Sequence, residues 1–180
     1  MSRIGKKPID IPDGVKVSSS NSTVAVEGKL GKLEYSINPR ITVTVSDGKA
    51  TVARSSESKY YRALHGSVRA NINNMIIGVS KGYQKDLEIS GTGYRAKIEG
   101  DNITLAVGYS KEKKVKIPAG LKVTVDENTK VKIVGIDKQS VGQLAAVIRM
   151  IRPPDVYKLK GIKYKGEIIK KKAGKAGAVK

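Results

Sequence analysis

The chain has 180 residues, with 35 Lys and Arg against 16 Asp and Glu, one His, no Cys and a formal net charge of +19. The lack of cysteine excludes disulfides and thiolate metal sites, no apolar stretch approaches the ~18 residues of a membrane span, and the basic start Ser2-Arg-Ile-Gly-Lys-Lys-Pro8 has no apolar run behind it as a signal peptide would. A soluble, cytoplasmic protein is expected, and its excess charge calls for a polyanionic partner, nucleic acid first and an anionic membrane surface second.

The first third reads as short strands with period-two alternation: Thr23–Val26, Leu33–Ile37, Ile41–Val45 and Ala50–Ala53. Asp47-Gly48 is a hairpin dipeptide, because both residues tolerate positive φ. Ser18-Ser-Ser-Asn-Ser22 reads as a polar turn. From Ser58 to Val79 the apolar residues fall at 61, 64, 68, 72, 75, 76 and 79, the steps of three and four that mark one face of a helix. Gly78 to Gly82 ends this unit. Strands resume at Leu87–Ile89, Tyr94–Ile98, Ile103–Val107, Val115–Ile117, Leu121–Val125 and Val131–Val134, with turns at Gly100–Asn102 and Asp126–Asn128. A second helix follows, with Asp137 as N-cap and a stripe of Val141, Leu144, Ala145, Ile148 and Ile151, and Pro153-Pro154 stops it.

The order strands, helix, strands, helix implies an α+β fold of two similar domains, residues 1–82 and 83–180, each an antiparallel sheet with one helix on a face. A literal echo supports duplication. Ile11-Pro-Asp-Gly-Val-Lys-Val17 and Ile117-Pro-Ala-Gly-Leu-Lys-Val123 agree at five of seven positions, 106 residues apart.

The charge is placed unevenly. Residues 149–180 hold eleven Lys and Arg against Asp155 and Glu167, which is +9 of the +19, while residues 83–148 carry only +3. If Val156–Lys165 is extended, Lys158 and Lys160 share one face and Lys163 and Lys165 another. All four point one way only if Gly161 supplies a bulge or turn. Such a strand would pack one side on the domain and offer lysines to phosphates; the competing role is an edge strand whose lysines block aggregation. Tyr157 and Tyr164 either stack on a base or sugar or pack in the core. The tail, from about residue 170, lacks apolar residues to fold by itself.

Catalytic chemistry finds little support. His65 has no second His or Cys to pair with and reads as a packing or helix-surface residue. Gly91-Thr-Gly-Tyr-Arg-Ala96 matches a dinucleotide-binding pattern, but that pattern needs a helix after the turn, and here a strand follows. No carboxylate pair or metal cage is evident, so no enzyme, cofactor or metal is expected. Neither helix has the lysine-rich polar face that membrane binding calls for.

The segments Asp137–Arg149 and Arg152-Pro-Pro-Asp-Val-Tyr-Lys-Leu-Lys-Gly-Ile-Lys-Tyr164, with Ser2–Ile9, Ala63-Leu-His-Gly66, Asn73-Asn-Met75 and Gly91–Ala96, resemble the bacterial ribosomal protein L6 family along the whole chain. The resemblance implies two duplicated α+β domains. It also implies binding to 23S rRNA near the sarcin–ricin loop, mainly through the C-terminal domain, at the base of the stalk where elongation factors dock. Neighbouring large-subunit proteins are then further partners, and neither a membrane nor a homo-oligomer is expected. Transferred to this sequence, the RNA-binding set is Tyr157, Lys158, Lys160, Gly161, Lys163 and Lys165, with Arg149, Arg152, Lys170, Lys171, Lys172 and Lys175 on phosphates. The basic N-terminal residues Arg3, Lys6 and Lys7 complete it. One departure stands out: the family usually has a small residue, typically Gly, where this chain has Leu159. Alternation would turn Leu159 into the domain.

Overall fold

The computed structural model of the chain describes residues 3–20, 22–46 and 48–174. It divides into two compact units. The first runs up to Tyr83 and includes Ile136–Lys138; the second comprises Gln84–Gly135 and residues from Gln139 onward. The first unit opens with a single helical turn, α1 (Arg3–Lys6), then strands β1 (Ile9–Asp10), β2 (Lys16–Ser20), β3 (Thr23–Gly28), β4 (Gly31–Ser36), β5 (Ile41–Ser46) and β6 (Lys49–Arg54), and the long helix α2 (Lys59–Ser80). There follow β7 (Tyr83–Ser90), β8 (Arg95–Glu99), β9 (Asn102–Ala106), β10 (Lys113–Lys116), β11 (Leu121–Asp126), β12 (Lys130–Gly135), α3 (Lys138–Ile151) and β13 (Gly161–Tyr164).

The strands form small antiparallel sheets, ordered β1-β6-β5 and β2-β3-β4, then β11-β12-β7-β13 and β10-β9-β8. The strands of each unit are thus shared between two sheets. In the first unit, apolar residues of both sheets (Val24 and Val26 on β3, Ile41 and Val43 on β5, Val52 on β6) meet the buried face of α2. That face holds Val68, Ile72, Met75, Ile76 and Val79, as the periodicity predicts, plus His65. Ser58 caps the helix by accepting the Tyr61 N–H at 3.4 Å. α3 buries Val141, Leu144, Ala145 and Ile148 in the same manner.

The sheet orders show the repeat directly. Exchanging β1–β6 for β7–β12 in sequence turns β1-β6-β5 into β7-β12-β11 and β2-β3-β4 into β8-β9-β10, both of which occur. Lys16 and Arg95 open equivalent strands, as do Ile41 and Leu121, at offsets of 79 and 80 residues. Loop hydrogen bonds recur at the same offset. Ile37 N–H donates to Ser22 O at 2.8 Å and Ile117 N–H to Asp101 O at 2.8 Å. The echo at a spacing of 106 is therefore out of step with the repeat: the structural counterpart of 117–123 is 37–43, not 11–17. What the echoing segments share is one turn. Val15 N–H donates to Pro12 O and Leu121 N–H to Pro118 O, with Gly14 and Gly120 at φ +84° and +83°. Pro first and a positive-φ Gly third satisfy a tight turn wherever one is needed.

Two further corrections concern local structure. Ser18–Ser20 are not a turn but part of edge strand β2, paired Ser18↔Ala25 and Ser19↔Val24. Pairing to β3 overrides the poor strand preference of serine, and the side chains stay exposed. Among the described residues, β13 has no counterpart in the first unit. It extends the second repeat by one strand, paired Ile162↔Ile89 and Lys163↔Glu88. Asp47 of the expected Asp47-Gly48 turn lies outside the described residues.

Candidate nucleic-acid interface

The segment after α3 is not the extended ribbon that its alternation predicts. Val156–Lys158 form a turn, and only Gly161–Tyr164 is a strand. Backbone bonds close residues 155–160 into a loop: Asp155 N–H donates to Lys160 O at 2.9 Å, and Leu159 N–H to Asp155 O at 3.0 Å. The Asp155 carboxylate accepts the Lys158 N–H at 2.8 Å. That bond first, and the N–H groups of Tyr157 and Val156 behind it, hold the Asp155 carboxyl below the usual carboxylate range.

Two residues let the chain turn this tightly. Leu159 sits at φ +59°, in the left-handed region, and it is 37% exposed rather than turned into the domain. Gly161 sits at φ +141°, and a Cβ there would lie 2.7 Å from both Pro153 O and Pro154 Cα. Gly161 therefore breaks the strand alternation by allowing backbone to touch backbone, and Ile162 N–H then donates to Arg152 O at 2.8 Å. Lys158 and Lys160 are exposed on the finished loop, with Tyr157 half-exposed beside them. Lys160 Nζ reaches Thr92 Oγ1 at 3.3 Å, which links the loop to the turn after β7.

The remaining predicted residues divide by how far the protein already uses them. Lys163 lies opposite Glu88, and its Nζ is 3.1 Å from the Glu88 carboxylate. Arg149 grips Glu167 through two hydrogen bonds and lies over the Tyr164 ring, 5.5 Å from its centroid. Lys85 lies 5.7 Å from the same ring. Glu167 also accepts the Tyr164 N–H at 3.0 Å. Arg149 and then this backbone bond hold the Glu167 carboxyl low. Arg149 is thus a clasp between α3 and the turn after β13. Lys165 is exposed, and its N–H donates to Asp86 O. Lys170, Lys171 and Lys172 are exposed; Lys172 N–H donates to Val156 O at 3.0 Å, bringing this part of the tail back to the lysine loop. Lys175 lies outside the described residues. Arg3, Lys6 and Lys7 belong to the first unit, in α1 and the residue after it; Lys6 and Lys7 are exposed, and the Lys7 carbonyl accepts Arg69 Nε–H at 3.2 Å.

Sequence reasoning missed a neighbouring cluster. The Gly91-Thr-Gly-Tyr94 segment is a turn, with Tyr94 N–H donating to Gly91 O at 3.2 Å. A Cβ at Gly91 would lie 2.6 Å from the Tyr94 ring, and one at Gly108 would lie 3.1 Å from it. The glycines therefore make room for an aromatic ring, not for a dinucleotide. Beside it Tyr109 is 43% exposed, and its hydroxyl donates to Ile151 O at 2.8 Å. The guanidinium of Arg152 and the ammonium of Lys113 each lie 5.4 Å from the Tyr109 ring centroid. The only sequence signal was the recurrence of tyrosine near glycine; the pairing with Arg152 is made by the fold.

His65 lies in the core of the first unit, 3% exposed. Its Nε2 is 2.8 Å from Val52 O, and its Nδ1 is 2.8 Å from Arg54 Nη1. A carbonyl needs a donor and a guanidinium needs an acceptor, so the proton sits on Nε2. Both nitrogens are committed to structure. Among the described residues no group of three or more His, Asp or Glu is placed to hold a metal ion, and no helix is long and apolar enough to cross a membrane.

The fold and the site define a basic α+β chain built twice over, whose ordered lysine loop is shaped by backbone bonds and whose single histidine is spent on packing. A family model for ribosomal protein L6 matches residues 11–82 and 90–165, one match for each repeat. The large ribosomal subunit protein uL6 of Dictyoglomus thermophilum is 50% identical over 178 residues, 98% of this chain and 99% of that protein. The protein of the same name from Listeria welshimeri is 49% identical over 177 residues, again 98% and 99%. The chain belongs to the ribosomal protein L6 family, whose members are structural components of the ribosome and not enzymes.

Proposed function

We propose that this ribosomal protein, as a constituent of the large subunit in the cytoplasm, binds 23S rRNA near the sarcin–ricin loop, at the base of the stalk where elongation factors dock. The observation that carries this reading is the loop 155–160, which holds Lys158 and Lys160 exposed on a backbone fixed from within. Cations on an ordered loop meet a polyanion without first losing loop entropy, so more of the attraction appears as affinity. Lys165, Arg152 and Lys170–Lys172 extend the surface. Lys163, already facing Glu88, contributes less than Lys158. The two units divide the work: the second contacts rRNA, and the first, with Arg3, Lys6 and Lys7, adds backbone contacts and meets neighbouring large-subunit proteins. No cofactor and no second copy of the chain enters this role.

The test is a salt titration of the full chain binding an rRNA fragment that spans the sarcin–ricin loop. Log affinity is expected to fall linearly with log salt, by roughly 0.7–0.9 per neutralised phosphate. Lys158→Ala and Lys160→Ala should each lower that slope by about one phosphate's share. A flat salt response, or slopes indifferent to both substitutions, rejects the assignment.

A further inference from the structure

The Tyr109 cluster has features that packing does not explain. Two cations, Arg152 and Lys113, share one exposed ring, each 5.4 Å from its centroid. They are therefore no more than twice that distance apart, and among the described residues neither forms an ion pair. The carboxylate next to Lys113 in sequence, Glu112, is turned to Arg95 at 3.9 Å. Each cation is attracted weakly to the face of an exposed ring, but the two repel one another. A bound anion would remove that repulsion. The ring itself is anchored. Gly108, at φ +79°, turns the chain into Tyr109, and the Tyr109 hydroxyl occupies the carbonyl of Ile151, which ends α3 with no helical N–H to accept. The tether ties the loop 107–113 to the point where Arg152 leaves the helix.

From this we infer that Arg152 and Lys113 form a phosphate clamp on RNA, with Tyr109 as the positioning residue that presents both cations. The ligand class is a phosphodiester of the RNA backbone. Arg152 supplies a planar, multidentate donor set and Lys113 a point charge. The clamp continues the lysine loop across the same end of the second unit: Lys160 is tied to Thr92, in the Gly91–Tyr94 turn, and Tyr94 packs against Gly108. The inference rests on the rRNA-binding reading and adds to it a subsite drawn from the loop between β9 and β10.

The experiment uses the full chain, the sarcin–ricin-loop fragment and a salt titration, with thermal unfolding measured on every variant. Lys113→Gln and Arg152→Gln are each expected to weaken binding about three- to tenfold and to lower the salt slope by about 0.7–0.9. Tyr109→Leu, which keeps both charges but removes the ring, should lower the slope by at least as much as either single variant. Tyr109→Phe keeps the ring but loses the hydroxyl that ties it to Ile151 O, and should lower the slope less than Tyr109→Leu does. Equal slopes for Tyr109→Leu and the parent chain overturn the positioning role, and unchanged slopes for both charge variants overturn the clamp. If Tyr109→Leu fails to fold, the two charge variants decide. When Lys158→Ala lowers the slope and these variants do not, the clamp fails while the rRNA-binding reading stands. If the parent chain does not bind the fragment, both fail together.

Discussion

At the scale of single residues, the positions that matter most are set by backbone conformation rather than by charge. Leu159 occupies a left-handed conformation that costs an L-residue with a Cβ about 1 kcal/mol, and its side chain is partly exposed. Leu159→Gly removes that strain at the cost of a more flexible unfolded chain, so a net gain of up to about 1 kcal/mol is expected in urea denaturation. The small residue that the resemblance implies at this position would carry no such strain. A glycine at this position meets a demand of the turn, and a close approach to RNA need not be invoked. Gly161 is the opposite case: its missing Cβ leaves space that Pro153 O and Pro154 Cα already border. Gly161→Ala should cost about 2 kcal/mol or more and weaken rRNA binding, because the loop carrying Lys158 and Lys160 must open to admit the methyl. His65→Ala tests the other unit. It strands the Val52 carbonyl and the Arg54 Nη1, on a guanidinium whose Nε already has no hydrogen-bond partner and whose Nη2 alone stays held, by Glu57. A loss of about 2–4 kcal/mol is expected, with rRNA affinity unchanged in the conditions where the variant folds.

At the scale of elements, the clasp between α3 and the turn after β13 makes a pH prediction. The Glu167 carboxyl is held below the ordinary range, chiefly by Arg149 and then by the Tyr164 N–H. A depressed carboxyl stabilises the fold fully above its unfolded value, about 4.3, and the stabilisation is lost as pH falls through the lower folded value. Glu167→Gln should therefore be less stable than the parent near neutral pH, by about 1–2 kcal/mol for this partly buried pair. The gap should narrow below about pH 4. Paired urea titrations across that range check both signs, and a gap constant with pH would show the pair to be ornamental. The same scale shows what the sequence discloses. Helices and paired strands carry their period in every window of residues, so α2, α3 and most strands were readable. The loop 155–160 was not, because its shape comes from Asp155 binding three backbone positions and from one residue at positive φ, which alternation cannot register. Edge strand β2 was missed for a related reason: its serines are held by what β3 offers, and nothing in Ser18–Ser20 itself signals a strand. The Arg152–Tyr109 pairing needed the fold to bring a helix end to a distant loop.

At the scale of the molecule, the question is where +19 charges leave a free chain. The ion pairs of the described residues are mostly exposed, where solvent and salt screen them and each contributes little. They cannot offset the mutual repulsion of an excess this large. The whole run from Ser58 to Lys85, including α2, contains no acid, so repulsion is spread through the first unit as well as gathered at the C-terminal end. Added salt shortens the Debye length from about 30 Å at 0.01 M to about 8 Å at 0.15 M, which screens exposed charges separated by more than that distance. The free protein should therefore melt higher as salt rises over this range, by about 2–5 °C for a chain of this size. The same salt should weaken its hold on rRNA, since the counterions released on binding return to a more concentrated bath. Opposite slopes in calorimetry of the free chain and in RNA titration are the expected signature of a scaffold whose stability is completed by its polyanion. If salt left the melting temperature unchanged, the charge would have to be balanced within the protein, and the exposed lysines of the 155–160 loop would lose the electrostatic reason given for them.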